Sequence, residues 1–448
     1  MVVISKDVIR RNILDTDFWP TLIDNNKDAE IALLVEGGKK EIFEKQIDAP
    51  NVKIYEYDRH SYYGFNRFAF FLIRTGINSH STKLYRMRAW KRGQSSFKQL
   101  FVKEIIASTL ANFDWYKKFV RGLVMKMDIP KVLEELFDEI KPDVIFVPSM
   151  IDNDFDVPVS VEAKKRGIRV IGMVRSWDNL NNHGMLAVVP DRFIVQNRWL
   201  IDMAEKFQAV PRGFIKKEDI VGLPHYDAYF DPSSVIKPRE EFFREMNLDP
   251  NKKLILVGGS DFYYTENKLP ETLNELVEGG LINEPVQFYF RPHPMSMFSV
   301  EDYHLDNLDN VILDGGSEDK KSFSDGDKLM NLFYHSEIII NICSTLSIDA
   351  AVFKTPAICI NFDDIESSQS YWESVSRLYD SFDHYEKLIA TGGVKLPDSK
   401  AQLAEDINSY LENPELDSEG RQEIIDEFVA PFDGKASQRL AEKVGEEL

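Results

Sequence analysis

Residues 338–362 read IIINICSTLSIDAAVFKTPAICINF. An apolar run of strand length opens into small hydroxyl residues, then a helical stretch, then a second apolar run. That order predicts a strand–helix–strand unit with parallel strands. Ser344, Thr345 and Ser347, with Asp349 behind them, stand where the first strand ends. In an open parallel sheet, ligands bind at the carboxyl ends of strands. A helix beginning there offers unpaired N–H groups and a positive dipole end, which suit a phosphate. Hydroxyls add donors without crowding it. Asp349, about one turn further in, is placed to take a ribose hydroxyl or to orient a basic partner. A plain helix cap with a solvent-facing aspartate has the same sequence.

The alternation extends along the chain. VVIS, IALLVEGG and VKIYEYD are strand candidates separated by helical stretches. VLEELFDEIKPDVIFVPS reads as an amphipathic helix and a buried strand, and VSVEAKKRGIRVIGMV repeats the theme with Gly167 as the helix C-cap. DRFIVQNRWLIDMAEKFQ adds a strand and helix, and DIVGLPHYDAYF reads as a further strand. The proline- and charge-rich DPSSVIKPREEFFREMNLDPNKK breaks the pattern. It then restarts with KLILVGGSD, VQFYFRP, NVILDGG, EIIINI and AICINF. Strands alternating with helices imply a parallel sheet covered on both faces. The expected fold is α/β: two Rossmann-like domains facing each other across a cleft, with a C-terminal helix crossing back to the first. The boundaries expected are 1–232 for the N-terminal domain, 250–430 for the C-terminal domain and 431–448 for the closing helix.

At 448 residues the chain exceeds one ordinary core. No apolar run reaches the about 18 residues of a membrane-spanning helix, and MVVISKDVIRRN reads as a first strand and not a secretion signal. Cys343 and Cys359 are the two cysteines, without metal-type spacing. A reducing cytoplasm is the expected location, with no disulfide.

The formal net charge of −20 argues against general nucleic-acid binding. It is unevenly spread. Residues 59–126 hold fourteen Lys or Arg against only Glu104 and Asp114, a net of +12 that leaves −32 on the remainder. Tyr62, Tyr63, Phe65, Phe68, Phe97, Phe101 and Trp115 lie in the same segment. The aromatics are expected to be core. The charge segregation points to an anionic surface at the inner face of a membrane, or to a glycan or lipid-linked acceptor.

Several chemistries lack their motifs. There is no G-x-G-x-x-G after a strand, no G-x-x-x-x-G-K-[ST], no H-E-x-x-H and no G-x-S-x-G. The D-x-D triplets at Asp15, Asp152 and Asp325 are weak signals in so acidic a chain. Asp325 or Asp327 is expected to cap the helix that follows, and Asp152, Asp154 and Asp156 to line a cleft without metal. The run Arg291-Pro292-His293-Pro294 follows the strand VQFYF. Two prolines remove N–H donors, so anion contacts there fall to the Arg291 fork and the His293 imidazole. Gly258, Gly259 and Ser260, at the end of KLILV, are expected to form a third wall.

RPHP followed by STLSIDAA resembles the C-terminal half of GT-B-fold transferases, above all the CDP-glycerol glycerophosphotransferase group and related surface-polysaccharide glycosyltransferases. The resemblance covers roughly residues 180–370. It implies that Arg291, His293, Ser344 and Thr345 contact a donor diphosphate, with Gly259, Ser260 and Asp349 toward the nucleotide and ribose. Where that group has a W-H-G triplet as base site, this chain reads Ser176-Trp177-Asp178-Asn179, with His183-Gly184 five residues on. Asp178, His183 or, in GLPHYD, His225 then stands as the base. The implied function is metal-independent glycosyl transfer from a nucleotide-sugar to a surface glycan or lipid-linked acceptor, without a cofactor. The alternatives are a CDP-glycerol- or CDP-ribitol-type phosphotransferase, a nucleotide-sugar 2-epimerase, or a non-catalytic glycan- or membrane-binding scaffold.

Overall fold

A computed structural model describes residues 1–448 except 48, 152–153, 261–266, 294–299, 304–307, 315–325, 343 and 364–370. Asp152, Pro294, Asp325 and Cys343 thus lie outside the described residues. The chain divides into two compact units: Met1–Phe230 with Glu427–Leu448, and Asp231–Asp426.

The first unit carries β1 (Val2–Ile4), β2 (Ile31–Glu36), β3 (Val52–Tyr57), β4 (Val144–Val147), β5 (Arg169–Gly172) and β6 (Arg192–Phe193). They pair in the order β3-β2-β1-β4-β5-β6, all parallel. The second unit carries β7 (Lys253–Gly258), β8 (Val286–Arg291), β9 (Val311–Leu313), β10 (Ile338–Asn341), β11 (Ala357–Cys359) and β12 (Val394–Lys395). Their order is β12-β11-β10-β7-β8-β9, again all parallel. Each is therefore a doubly wound Rossmann-type sheet whose strand order reverses beside its first strand, at β1/β4 and at β7/β10. All four residues of β10 are buried, as a central parallel strand covered on both faces requires. Cys359, in β11, is a buried free thiol.

One face of the first sheet packs Val2, Ile4, Leu33, Val35 and Phe146 against Phe18, Trp19 and Leu22 of the helix Phe18–Asn25. Leu440, Ala441 and Val444 of the helix Ala436–Gly445 join the same cluster. Each fully buried aliphatic side chain contributes about 1.5–3 kcal/mol, which fixes the last helix to the first sheet.

Two features depart from expectation. DIVGLPHYDAYF forms no strand: Ile220 makes one isolated bridge to Val195, then Pro224–Tyr226 turns into a 3-10 helix. Gly222 adopts a left-handed φ of 88° and Pro224 has no N–H, so the ladder stops. The basic segment forms the helices Gly64–Thr75, His80–Lys91, Phe97–Ser108 and Asp114–Val124. Its aromatics are not mainly core: Tyr63, Phe65, Phe68, Phe97, Phe101, Phe113, Trp115 and Phe119 are exposed, whereas Phe70 and Tyr116 are buried. The segment is anchored from below by Arg121, whose Nε donates to the Leu186 carbonyl at 3.0 Å.

Candidate functional site

The two expected anion-binding segments leave the same edge of the second sheet. β7 lies between β8 and β10, with Gly258 in register with both Arg291 and Asn341. The Gly259 N–H donates to the Arg291 carbonyl at 2.8 Å. The carboxyl ends of three adjacent strands thus bring Gly259 and Ser260, Arg291 and His293, and Ser344 and Thr345 to one rim at the sheet's switch point. Ser260 and Asp349 are buried; Arg291, His293 and Ser344 are half-buried; Thr345 is exposed. Asp349 is thus less accessible to a ribose than its position in sequence implies.

Asn341 organises the turn. Its side-chain oxygen accepts from the Ser344 N–H at 3.1 Å, and its amide donates to Ser347 Oγ at 3.0 Å. Ser347 Oγ also lies 3.2 Å from Cys359 Sγ, so that hydroxyl belongs to the interior. Ser344 Oγ accepts from the Leu346 N–H at 3.3 Å, while Thr345 makes no side-chain cap. The helix Leu346–Val352 has only seven residues, so side chains and the turn carry most of any anion contact. Leu346 packs over the strand end at Gly258: a Cβ there meets Leu346 Cδ1 at 2.0 Å, so a larger residue displaces that side chain.

Arg291 Nε lies 3.9 Å from Asp314, whose other oxygen holds Lys328 Nζ at 2.8 Å. Asp314 is held by its N–H, 2.7 Å from the Phe290 carbonyl. Arg291 Nη1 is buried without a hydrogen-bond partner among the described residues. Sequence reading missed Asn341 and Asp314. The signal for Asn341 was an amide ending a buried apolar strand, since a buried amide must be hydrogen-bonded.

In the first unit Asp178 and His183 come together. His183 Nε2 is 3.7 Å from Asp178 Oδ2, and the carboxylate accepts from the side-chain amides of Asn182 at 2.7 Å and Asn179 at 3.2 Å. The short helix Asn179–Asn182 sets this spacing. The loop is docked on the basic segment: Met185 N–H donates to the Ile73 carbonyl at 2.9 Å, and Ser79 Oγ donates to the Asn181 carbonyl. Gly184 has φ of 107°, and a Cβ on it meets the Ile73 carbonyl oxygen at 2.9 Å. Gly184→Ala is therefore expected to cost about 1–3 kcal/mol and to displace His183. Chemical denaturation reads it, and unchanged stability contradicts the docking.

His225 does not join that pair. It borders a cavity of about 10 Å³ walled by Asn12, Ile13, Pro148, Arg175 and Gln196, room for about one water. Burial, helped by Arg11, lowers its pKa to about 3, and its buried Nδ1 has no partner among the described residues. The ring is half-buried with Nδ1 shielded, and so weakly basic a group is less suited than His183 to deprotonate an acceptor.

A group that sequence reading placed only loosely sits at the first sheet's switch point. Asp156 is buried beneath Ser5, whose Oγ donates to Oδ2 at 3.1 Å. Burial raises its pKa to about 7, against the opposing pull of Ser5, Lys6, Arg175 and Ser149. Between its ordinary value of 3.8 and about 7 the folded chain keeps a proton that the unfolded chain has released. Stability is therefore lost as pH rises through that window. Asp156→Asn is expected to stabilise the chain at pH 8 by up to about 4 kcal/mol and by almost nothing below pH 4. Denaturation at both pH values checks this; an equal effect at both contradicts it. Asp154, its neighbour, is half-exposed and pairs with Arg74 at 3.3 Å.

No protein-family model matches the chain. The teichoic acid ribitol-phosphate polymerase TarL of Staphylococcus aureus (strain NCTC 8325 / PS 47) is 24% identical over 238 residues, which is 50% of this chain and 37% of that protein. Among solved structures, the UDP-GlcNAc 2-epimerase of Neisseria meningitidis bound to UDP-GlcNAc has a TM-score of 0.56 at 14% identity, covering 100% of both chains. The wall teichoic acid polymerase TagF with CDPG has a TM-score of 0.51 at 12% identity, covering 100% of this chain and 87% of TagF. The chain thus has the fold of two Rossmann-like domains, the GT-B type, which it shares with a polymerase and with an epimerase.

Proposed function

We propose that the chain is a transferase that takes a sugar from a nucleotide-sugar donor and places it on a surface glycan or lipid-linked acceptor. The single observation that carries this reading is the rim formed by Gly259, Arg291 and Ser344 at the ends of three adjacent strands. An acceptor hydroxyl attacks the anomeric carbon, the bond from that carbon to the diphosphate oxygen breaks, and the nucleoside diphosphate leaves with the electron pair. The acceptor proton passes to His183, which Asp178 orients. Charge grows on the leaving diphosphate, so fixed donors from Arg291, His293 and Ser344 favour the transition state over the ground state. No metal or cofactor is invoked. The exposed aromatics among the basic helices support peripheral contact with an anionic membrane face. No helix among the described residues is long and apolar enough to cross a membrane.

A second reading, polyol-phosphate transfer from a CDP-linked donor, is favoured by the similarity to TarL. There the acceptor attacks phosphorus and a nucleoside monophosphate leaves. The released nucleotide separates the two. The chain incubated with acceptor extract and either UDP-sugars or CDP-polyols is expected to release a diphosphate; a monophosphate from a CDP-polyol selects the second reading. Sugar epimerisation without any acceptor contradicts both and selects an epimerase.

A further inference from the structure

A groove of about 630 Å³ opens among the helices Gly64–Thr75, His80–Lys91 and Phe97–Ser108. Arg67, Arg74, Arg86 and Lys103 line it, with Phe70 and Tyr85 among its apolar walls. Arg86 is the unusual member. Its side chain is only 8% exposed, and Glu104 satisfies Nε alone, at 2.5 Å. Nη1 and Nη2 are both buried without a hydrogen-bond partner among the described residues. A buried guanidinium with two idle nitrogens costs the desolvation of each. The fold therefore holds two unused donors just beneath the groove wall, which a turn of the Arg86 side chain brings to a ligand. Lys103 stands close enough that burial first, then the charges of Arg86 and Arg74, lower its pKa from the usual value. Four cations share the groove with two carboxylates, Asp154 and Glu104, so an excess of positive charge is held against partly apolar walls.

We propose that this groove is a phosphate-ester subsite, in which Arg86 forks onto the phosphate oxygens, Arg74 and Lys103 neutralise it, and the Phe70–Tyr85 wall receives the organic group it carries. Planar guanidinium donors pair with two oxygens of a phosphate at once, which a lone ammonium does not do. The inference deepens the proposed transfer reaction by giving the acceptor a charged handle, but the binding it describes needs no donor. The same chemistry is presented by a soluble phosphate ester and by an acidic phospholipid headgroup.

Lys103 supplies the readout. An anion beside it raises its pKa, and one unit slows acylation of the neutral amine about tenfold. The full chain is acetylated at pH 8 with an amine-specific reagent, and Lys103 is followed by mass spectrometry. Glycerol 3-phosphate is compared with glycerol plus chloride at equal ionic strength, and phosphatidylglycerol vesicles with phosphatidylcholine vesicles. Slower labelling of Lys103 with the soluble ester assigns the site to soluble phosphates. Slower labelling with the acidic vesicles alone assigns it to headgroups. Unchanged labelling in both arms overturns the proposal. Arg86→Gln is expected to abolish protection; because it also removes the Glu104 partner, Arg74→Gln serves as the variant that keeps the fold and still weakens protection. Protection must survive in Arg291→Ala. If it disappears there, the ester was binding at the donor rim and the groove is not the site, whereas failure of the donor reading alone leaves the protection intact.

Discussion

Arg291→Ala is expected to weaken binding of a nucleoside diphosphate about 10- to 150-fold, the equivalent of losing charge-assisted hydrogen bonds worth roughly 1.5–3 kcal/mol. The side chain ends β8, one register step across from Gly258, and its Nη1 lies buried and unpartnered among the described residues. Asp314 is shared with Lys328 and stays 3.9 Å from Nε, so it orients the fork without consuming it. The loss in turnover should exceed the loss in affinity, because the leaving diphosphate carries more charge in the transition state than in the donor. Arg291→Lys is expected to recover part of the affinity, since one ammonium restores the charge and not the two-pronged geometry. Calorimetric titration with CDP and UDP checks both variants. Unchanged affinity in Arg291→Ala removes the residue from the site.

His183→Ala should lower turnover about 10²- to 10⁴-fold, the usual range for a lost general base, while leaving diphosphate affinity as it was. Asp178→Asn should act in the same direction. The near-isosteric amide keeps one of the two accepting contacts to Asn179 and Asn182, the other donor amide having to turn over, and it removes the negative charge that stabilises an imidazolium 3.7 Å away. The split between affinity and turnover separates this pair from the Arg291 rim. A fall in diphosphate affinity in either variant contradicts the division of labour. So does full turnover in His183→Ala.

Both sheets were legible in the sequence because a parallel strand buried on two faces leaves an unbroken apolar run, as in Ile338–Ile340 or Val144–Val147. Strands of two residues, β6 and β12, leave little such mark, and β12 was missed. The apolar stretch at Ile220 misled for a local reason: Gly222 and Pro224 end the pairing after one bridge. On the candidate site, the rim was visible in the chemistry of RPHP and STLS. Asp314 and Asp156 were less so, because each depends on neighbours distant in sequence, Arg291 and Lys328 for one and Ser5 for the other; Asn341, whose partners Ser344 and Ser347 are local, was simply missed. The same limit explains the exposed aromatics of residues 59–126. Composition gives their number, but which face of a helix stays open depends on what packs there, and Phe97, Phe101 and Trp115 were left outside. His225 failed for the converse reason. A histidine after a glycine and a proline looks accessible in sequence and proves to be half-buried, with Nδ1 shielded.

The most direct test of the donor rim is hydrogen–deuterium exchange of the full chain with and without saturating UDP or CDP. Ligand at about 100 times its dissociation constant stabilises the bound form by about 2.7 kcal/mol, ample to slow exchange where N–H groups are engaged. Slowed exchange concentrated at 258–260, 291–293 and 344–349 is the predicted result. Protection confined to other peptides, or none at all with either nucleotide, contradicts it.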